Sequence, residues 1–215
     1  MIGFSQFLNK HNGAKAVVLG LGTSTNDVIL EDLSGTVTIG VNDIGAVYQP
    51  KYLLTLDTPS RLDMSMGGTM KRSAAVVDTR ADFLFAPDYI KEWEESDKLK
   101  NRVVGLKLGN RHLANIDDDN VFDYSSNSPY VAVILAYRMG CRQIGIAGVD
   151  FTDDHCHAKD GVHELVRNGR LREIDSDYSK LVAALKHRGC ELYNLSSVSM
   201  LASIPKMDVK EFLDK

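Results

Sequence analysis

Residues 124–151 read YSSNSPYVAVILAYRMGCRQIGIAGVDF. This stretch predicts a polar loop, a buried helix, a tight turn and a buried strand in succession. Ser128 is suited to cap the helix, and Pro129 to occupy its first turn, where a missing N–H costs nothing. The ten residues after Pro129 are apolar on nearly every side, so the helix is expected inside the molecule rather than half-exposed. Gly140 stands where a left-handed residue ends a helix. Residues 143–149 then form a β-rich run that stops at Asp150. A helix this apolar needs a sheet to pack on, and the strand that follows belongs in that sheet. The loop 125–127 would then present hydroxyls, an amide and free backbone N–H groups above the sheet, an arrangement suited to an anion.

Outward from this core the chain keeps alternating. Residues 15–21 (KAVVLGL) are a short continuous apolar run of the kind found in central parallel strands. GLGTSTND follows, with Val28, Ile29 and Leu33 at helical spacing. Gly20 and Gly22 would let the backbone approach a ligand, and Thr23, Ser24 and Thr25 offer hydroxyls at a helix start. The turn is not a dinucleotide fingerprint, because Thr25 holds the third glycine position, and no Gly-Lys-Ser/Thr follows to make a P-loop. A plain tight turn accounts for these residues as well as a ligand does. Strand 36–41 ends in Asn42 and Asp43, and strand 52–56 in Asp57, Thr58 and Pro59. In a parallel sheet such ends line one crevice, where open α/β sheets bind ligands, although Asn and Asp also favour turns for their own sake.

The remaining elements are shorter. Residues 1–14 are expected as an amphipathic helix with Phe4, Phe7 and Leu8 on one face. Residues 61–73 lack periodicity and read as a loop carrying Lys71 and Arg72. Short strands are expected at 74–77, 83–85 and 103–108, and a polar helix at 89–96. The acidic run 115–123 lacks the glycine pattern of a calcium loop and reads as solvated surface. A mobile loop is expected near 152–172. It holds His155, His157 and His163 among Asp153, Asp154 and Asp160, a composition suited to a general base. A polar lid is the plainer account; a metal site lacks a helical His-x-x-x-His pair. An amphipathic helix over 173–187 and a strand over 191–195 close the pattern. Strand–helix alternation without repeats or linkers points to one α/β domain over residues 1–215, a Rossmann-like three-layer sandwich with a mostly parallel sheet.

Composition narrows the function. Net charge is −4, which argues against a broad grip on nucleic acid. No apolar run reaches the length of about 18 residues needed to span a membrane, and the N-terminus has no signal-peptide core. The three cysteines, Cys141, Cys156 and Cys190, lack metal spacing and fit a reducing cytoplasm. An apolar edge strand would allow pairing into a homo-oligomer.

The same landmarks, in this order, resemble the family 42 bacterial sialyltransferases and the related domain group that contains the archaeal 6-hydroxymethylpterin diphosphokinase. The likeness covers about residues 15–200. It is carried by the turn from Gly20 to Ser24, Asn42, Asp57, the serine-rich loop before the apolar helix, the segment MGCRQIGIAGVDF (139–151) and the ending LYNLSSVSML. The resemblance implies a nucleotide-binding fold and a metal-independent glycosyltransferase. Its nucleotide-sugar donor would serve an acceptor hydroxyl on a glycan or a hydroxylated nucleobase. Gly22, Thr23 and Ser24 would approach the phosphate, with Gly20 in the same turn, and Asn42 and Asp57 would meet the sugar or ribose. Ser126, Asn127 and Ser128 would hold donor carboxylate, phosphate or sugar, with Gly148 and Asp150 beside them. A histidine serves the family as base, and two tyrosines stabilise the leaving phosphate. Here the matching positions carry Arg172 for the base, and Thr152 and His157 for the tyrosines. His157 or His155 is therefore the expected base, with Arg172, Arg111 and Arg170 suited to phosphate charge. The alternatives are an ATP-dependent diphosphokinase with Mg²⁺ on Asp57, Asp150 or Asp153, and a nucleotide-binding module without catalysis.

Overall fold

The computed structural model describes residues 1–65, 71–152, 156 and 169–214. Nine strands form one sheet: β1 (Ile2–Gly3), β2 (Lys15–Leu19), β3 (Val37–Val41), β4 (Tyr52–Leu54), β5 (Phe83–Pro87), β6 (Val103–Arg111), β7 (Val121–Tyr124), β8 (Gln143–Ala147) and β9 (Glu191–Asn194). Their order is β1-β6-β5-β4-β3-β2-β8-β9, with β7 added beside β6, and every pairing is parallel. The α-helices are α1 (Thr25–Val28), α2 (Pro59–Met64), α3 (Arg72–Val77), α4 (Ser128–Arg138), α5 (Leu171–His187) and α6 (Val209–Asp214).

A parallel sheet buries both faces, so its strands must be apolar on both. β2 meets that demand in a five-residue run. Ala16 and Val18 join one core with Ile39, Tyr52, Phe85, Ile144 and the side chains of α4 and α5. Val17 and Leu19 join a second core with Val28, Ile44, Leu62, Val76, Trp93 and Phe212. The two cores on the two faces of one sheet make the expected three-layer sandwich. α4 is buried around most of its circumference, since Tyr130 to Ala136 are all 0% exposed. Gly140 ends its turn at φ +97°, and a Cβ there would lie 2.8 Å from the Asn12 backbone.

Several expected elements differ. The N-terminal helix is instead β1 followed by a single 3₁₀ turn, Phe4–Phe7. Pairing of Ile2 with Val104 holds the chain extended at the sheet edge, and one tight turn is enough to face Phe4 and Phe7 inward. The expected strand at 74–77 is helix α3; a four-residue apolar run cannot separate the two periods. The expected helix at 89–96 shrinks to the 3₁₀ turn Glu92–Glu95 around buried Trp93. The end of the acidic run 115–123 enters β7, pairing with β6. α5 begins at Leu171, so Arg172 is helical rather than part of a loop. The rest of the expected 152–172 loop, His155 and His157 included, lies almost wholly outside the described residues. Among those described, no helix is long and apolar enough to cross a membrane.

Candidate functional site

The strand order places the site. From β2 the chain moves outward through β3, β4, β5 and β6, then returns to β8 on the other side of β2. The chain thus leaves β2 towards β3 and β8 towards β9, and the carboxyl ends of these strands are the switch point where open α/β sheets form ligand crevices. A cleft of ≈ 300 Å³ lies there. Its walls are Leu21 and Gly22 after β2, Val41 and Asn42 at β3, and Asp57, Arg61, Ser65 and Arg72 from the β4–α3 segment. Ser126 to Pro129 at the start of α4 and Gly148 to Thr152 after β8 complete it.

The glycine turn plays a different part from the one expected. The loops after β2 and β8 are bonded to each other. Ser24 donates its backbone N–H to Asp150 Oδ2 at 2.8 Å and its hydroxyl to Asp150 Oδ1 at 2.7 Å. The same hydroxyl accepts from Gly148 N at 2.9 Å, and Gly22 N donates to Gly148 O at 2.8 Å. A Cβ on Gly20 would stand 2.4 Å from Gly148 O, one on Gly22 2.4 Å from Asp150 Oδ2, and one on Gly148 2.2 Å from Thr25 Oγ1. Gly20, Gly22 and Gly148 thus let the two loops pack closely. Gly20, Thr23 and Ser24 do not line the cleft, whereas Gly22, Gly148 and Asp150 do. α1 has only four residues, too few to build a useful dipole.

Asn42 closes β3 at φ +50°, a conformation asparagine tolerates because its short side chain bonds locally. Thr55 Oγ1 donates to Asn42 Oδ1 at 3.0 Å, which fixes the amide and leaves its Nδ2 hydrogens as donors in the cleft wall. Asp57 pairs with Arg61 one helical turn later at 3.0 Å. Arg72 is 6% exposed; its guanidinium meets Asp43 at 2.5 Å and Ser65 Oγ at 2.5 Å. Its buried Nε has no hydrogen-bond partner among the described residues. Burying a donor unmatched costs roughly 1–3 kcal/mol, and the charge of the same residue lines the cleft.

The fourth wall is the start of α4. Its cap is Asn127, one residue earlier than expected, in an extended conformation without a side-chain capping bond. Asn127 Oδ1 accepts from buried Tyr178 at 3.4 Å, and its Nδ2 is a second buried donor without a partner. The first-turn N–H groups of this 11-residue helix add a partial positive charge at the same place. Ser125 is turned away: it is 4% exposed and donates to Asp177 Oδ2 at 2.6 Å. Ser126 accepts from Arg111 at 2.6 Å and donates to Glu173 at 3.2 Å. A hydrogen bond from Arg170 holds the Glu173 carboxyl below the usual range. Arg172 is exposed on α5 and does not line the cleft.

Sequence reasoning missed Arg61, passed over Arg72 as loop charge, and missed a contact between the β6–β7 connection and α5. His112 Nδ1 lies 2.8 Å from Asp177 Oδ2. Asp177 carried a legible signal, an acid inside the apolar stripe of α5 between Ile174 and Leu181.

No protein-family model and no curated protein sequence matches the chain. Solved structures do. The chain is similar to the MAf glycosyltransferase from Magnetospirillum magneticum AMB-1, with a TM-score of 0.62 and 14% identity over 94% of this chain. It spans about a third of that protein's length, 35%. It is also similar to the sialyltransferase CstII of Campylobacter jejuni. CstII in complex with a trisaccharide acceptor and CMP gives a TM-score of 0.50 at 14% identity, covering 90% of this chain and 85% of that one. A variant of it in complex with CMP gives 0.53 at 13% identity, covering 90% and 86%. The fold is one shared with glycosyltransferases. The sialyltransferase likeness expected from residues 15–200 therefore holds at the level of architecture.

Proposed function

We propose that the chain is a glycosyltransferase that binds a nucleotide-sugar donor in the cleft between β2 and β8 and passes the sugar to an acceptor hydroxyl. The observation that carries this reading is one cleft at the carboxyl ends of β2, β3 and β8, lined by Arg61, Arg72 and Asn127 together with the α4 N-terminus. An anionic ligand there would lie beside two guanidinium groups, an amide and the partial positive charge of a helix start. The fold supports the same reading, since the glycosyltransferases it resembles include one solved with CMP and an acceptor.

In this reading the α4 N-terminus, Asn127 and Arg72 hold the donor phosphate, and Gly22 lets it approach the β2 loop. Ser126 and Ser128 meet the sugar or its carboxylate. Asn42 offers an amide and Asp57 a carboxylate to donor hydroxyls. Reaction breaks the bond between the anomeric carbon and the phosphate oxygen and forms one to the acceptor oxygen. The acceptor proton passes to a base, and negative charge grows on the leaving phosphate. Donors already fixed around that phosphate stabilise the charge without rearranging, which is where such sites gain most of their rate. The acceptor class is a glycan or a hydroxylated nucleobase. His155 and His157 stay candidates for contact with it from outside the described residues.

A thermal-shift screen against CMP, UDP, GDP, ATP and their sugar conjugates, each with and without Mg²⁺, tests the reading. A nucleotide or sugar nucleotide at about 100 times its Kd adds roughly 2.7 kcal/mol, worth about 5–10 °C in a chain of this size. Stabilisation by a sugar nucleotide without metal, followed by release of its nucleotide during turnover, is expected. Stabilisation by ATP and Mg²⁺ alone would overturn it in favour of phosphoryl chemistry.

A further inference from the structure

We infer that Asp43 is a positioning residue for the transfer: from behind the cleft lining it fixes the Arg72 guanidinium, which then serves as a stationary cation for the phosphate that leaves. The inference rests on the glycosyltransferase reading above and adds to it a residue that acts only through another.

Asp43 follows Asn42 at the end of β3 and is 2% exposed. It does not line the cleft, whereas Arg72, at the start of α3, does. Arg72 Nη2 donates to Asp43 Oδ1 at 2.5 Å, and Nη1 donates to Ser65 Oγ at 2.5 Å. The Ser65 hydroxyl in turn donates to Leu62 O at 2.6 Å, so its oxygen is held at the end of α2 to accept from the arginine. The backbone that carries Arg72 is fixed as well. Asp63 Oδ1 accepts from Ser73 N at 2.7 Å and Oδ2 from the Ser73 hydroxyl at 2.8 Å, which clasps α3 to α2. A Cβ on Gly45 would stand 3.0 Å from Ala75 O, so α3 lies close against the turn that carries Asp43. Two anchors on one planar group set its plane as well as its place.

Among the described residues the cleft has a second arginine, and it is held differently. Arg61 is 78% exposed and pairs with Asp57, 28% exposed, at 3.0 Å. Exposed pairs of this kind contribute little, so Arg61 is free to follow a ligand in and out. Arg72 is not, because leaving Asp43 would pull apart two charges that are both buried. The difference decides what each arginine does for the reaction. A movable cation binds donor and product alike. A fixed one favours the transition state: as the bond to the anomeric carbon breaks, the electron pair stays on the phosphate oxygen, and a donor already in place meets the new charge without reorganising. Asp43 also offsets the Arg72 charge, which limits how tightly the nucleotide product is held before release.

Asp43→Asn tests the assignment, because asparagine keeps the size and an acceptor for Nη2 and removes the charge. It should lower kcat about tenfold or more, while the Kd for nucleotide stays the same or tightens. A merely structural carboxylate would lower the melting temperature and leave kcat per folded molecule as it was. Action through Arg72 also fixes the outcome of a double-mutant cycle. In an Arg72→Lys background, Asp43→Asn should change kcat by less than about twofold. Losses that multiply in the double variant, or an Asp43→Asn enzyme with kcat within about twofold of an active parent, overturn the proposal while the glycosyltransferase reading stands. The parent protein supplies a measurement that no folding defect can obscure. The ¹⁵N signals of the Arg72 guanidinium, traced from its own backbone amide, should show two separate Nη nitrogens from hindered rotation; one averaged Nη signal overturns the proposal. A parent protein that turns over no sugar nucleotide removes the glycosyltransferase reading and this assignment with it.

Discussion

Truncating Ser24 separates two accounts of the glycine turn. As a ligand group, its hydroxyl would matter to affinity and little to folding. In the structure it is 5% exposed and bridges Asp150 and the Gly148 amide, itself donating at 2.7 Å and accepting at 2.9 Å. Ser24→Ala removes a hydrogen bond to a buried carboxylate, worth roughly 1.5–3 kcal/mol, and one between neutral groups, worth roughly 0.5–1.5 kcal/mol. Asp150 keeps its bond from the Ser24 backbone, so part of its solvation survives. The expected loss is about 3 kcal/mol, or about 6–12 °C in Tm for a chain of this length. Urea denaturation at constant m would report it directly. Asp150→Asn, alone and with Ser24→Ala, completes a double-mutant cycle whose coupling should exceed roughly 1 kcal/mol. Thr23→Ala, which deletes a hydroxyl without a hydrogen-bond partner among the described residues, should stay within about 0.5 kcal/mol of the parent. A Ser24→Ala protein that melts within 2 °C of the parent but loses nucleotide affinity about tenfold would refute the bracing role.

Gly148→Ala should cost about 3 kcal/mol or more, because its Cβ would fall 2.2 Å from Thr25 Oγ1 at φ +67°; chemical denaturation measures it, and a change below 1 kcal/mol would contradict the loop packing. Arg72→Lys keeps the charge beside Asp43 but loses the planar fork, so nucleotide affinity should fall about tenfold, or about 1.4 kcal/mol, by calorimetry. Unchanged affinity would remove Arg72 from the phosphate site. Burial pushes the Cys141 and Cys190 thiols and the Tyr52 hydroxyl up to about 12 each. Their folded pKa values lie above the unfolded ones, so the unfolded chain loses these protons first, and stability should fall as pH rises from about 9 towards 12. Melting curves across that range check the sign. The same burial should keep Cys141 and Cys190 unreactive to a thiol reagent at pH 8 until the protein is denatured.

What could be read from the chain divides along the distance over which each feature is decided. The helix from Ser128 and the strand before Asp150 are set by local pattern: continuous apolarity, a proline at one end and a glycine at the other. So is the expectation that Asn42, Asp57 and Asn127 share one crevice, because a parallel sheet brings strand ends together whatever their order. The boundaries that moved lie where a short apolar run meets two periods, as at α3, or where edge pairing overrides a helical stripe, as at Phe4 and Phe7. The roles of single polar residues were harder, and Ser24 and Asp150 show why. Each alone is a polar residue at a strand end, which suits a ligand. They lie 126 residues apart, and only the adjacency of β2 and β8 turns them into each other's partner.

The converse holds for Arg72 and Asn127. Asn127 stood out only as an amide in the loop before the apolar helix and Arg72 only as loop charge; the packed structure satisfies most of each side chain and leaves one buried donor over. A polar group at a strand end is thus weak evidence for binding until its partners are counted. Counting here withdraws Ser24, assigns Asp150 to the scaffold of its own cleft, and brings forward an arginine from a segment that looked like surface.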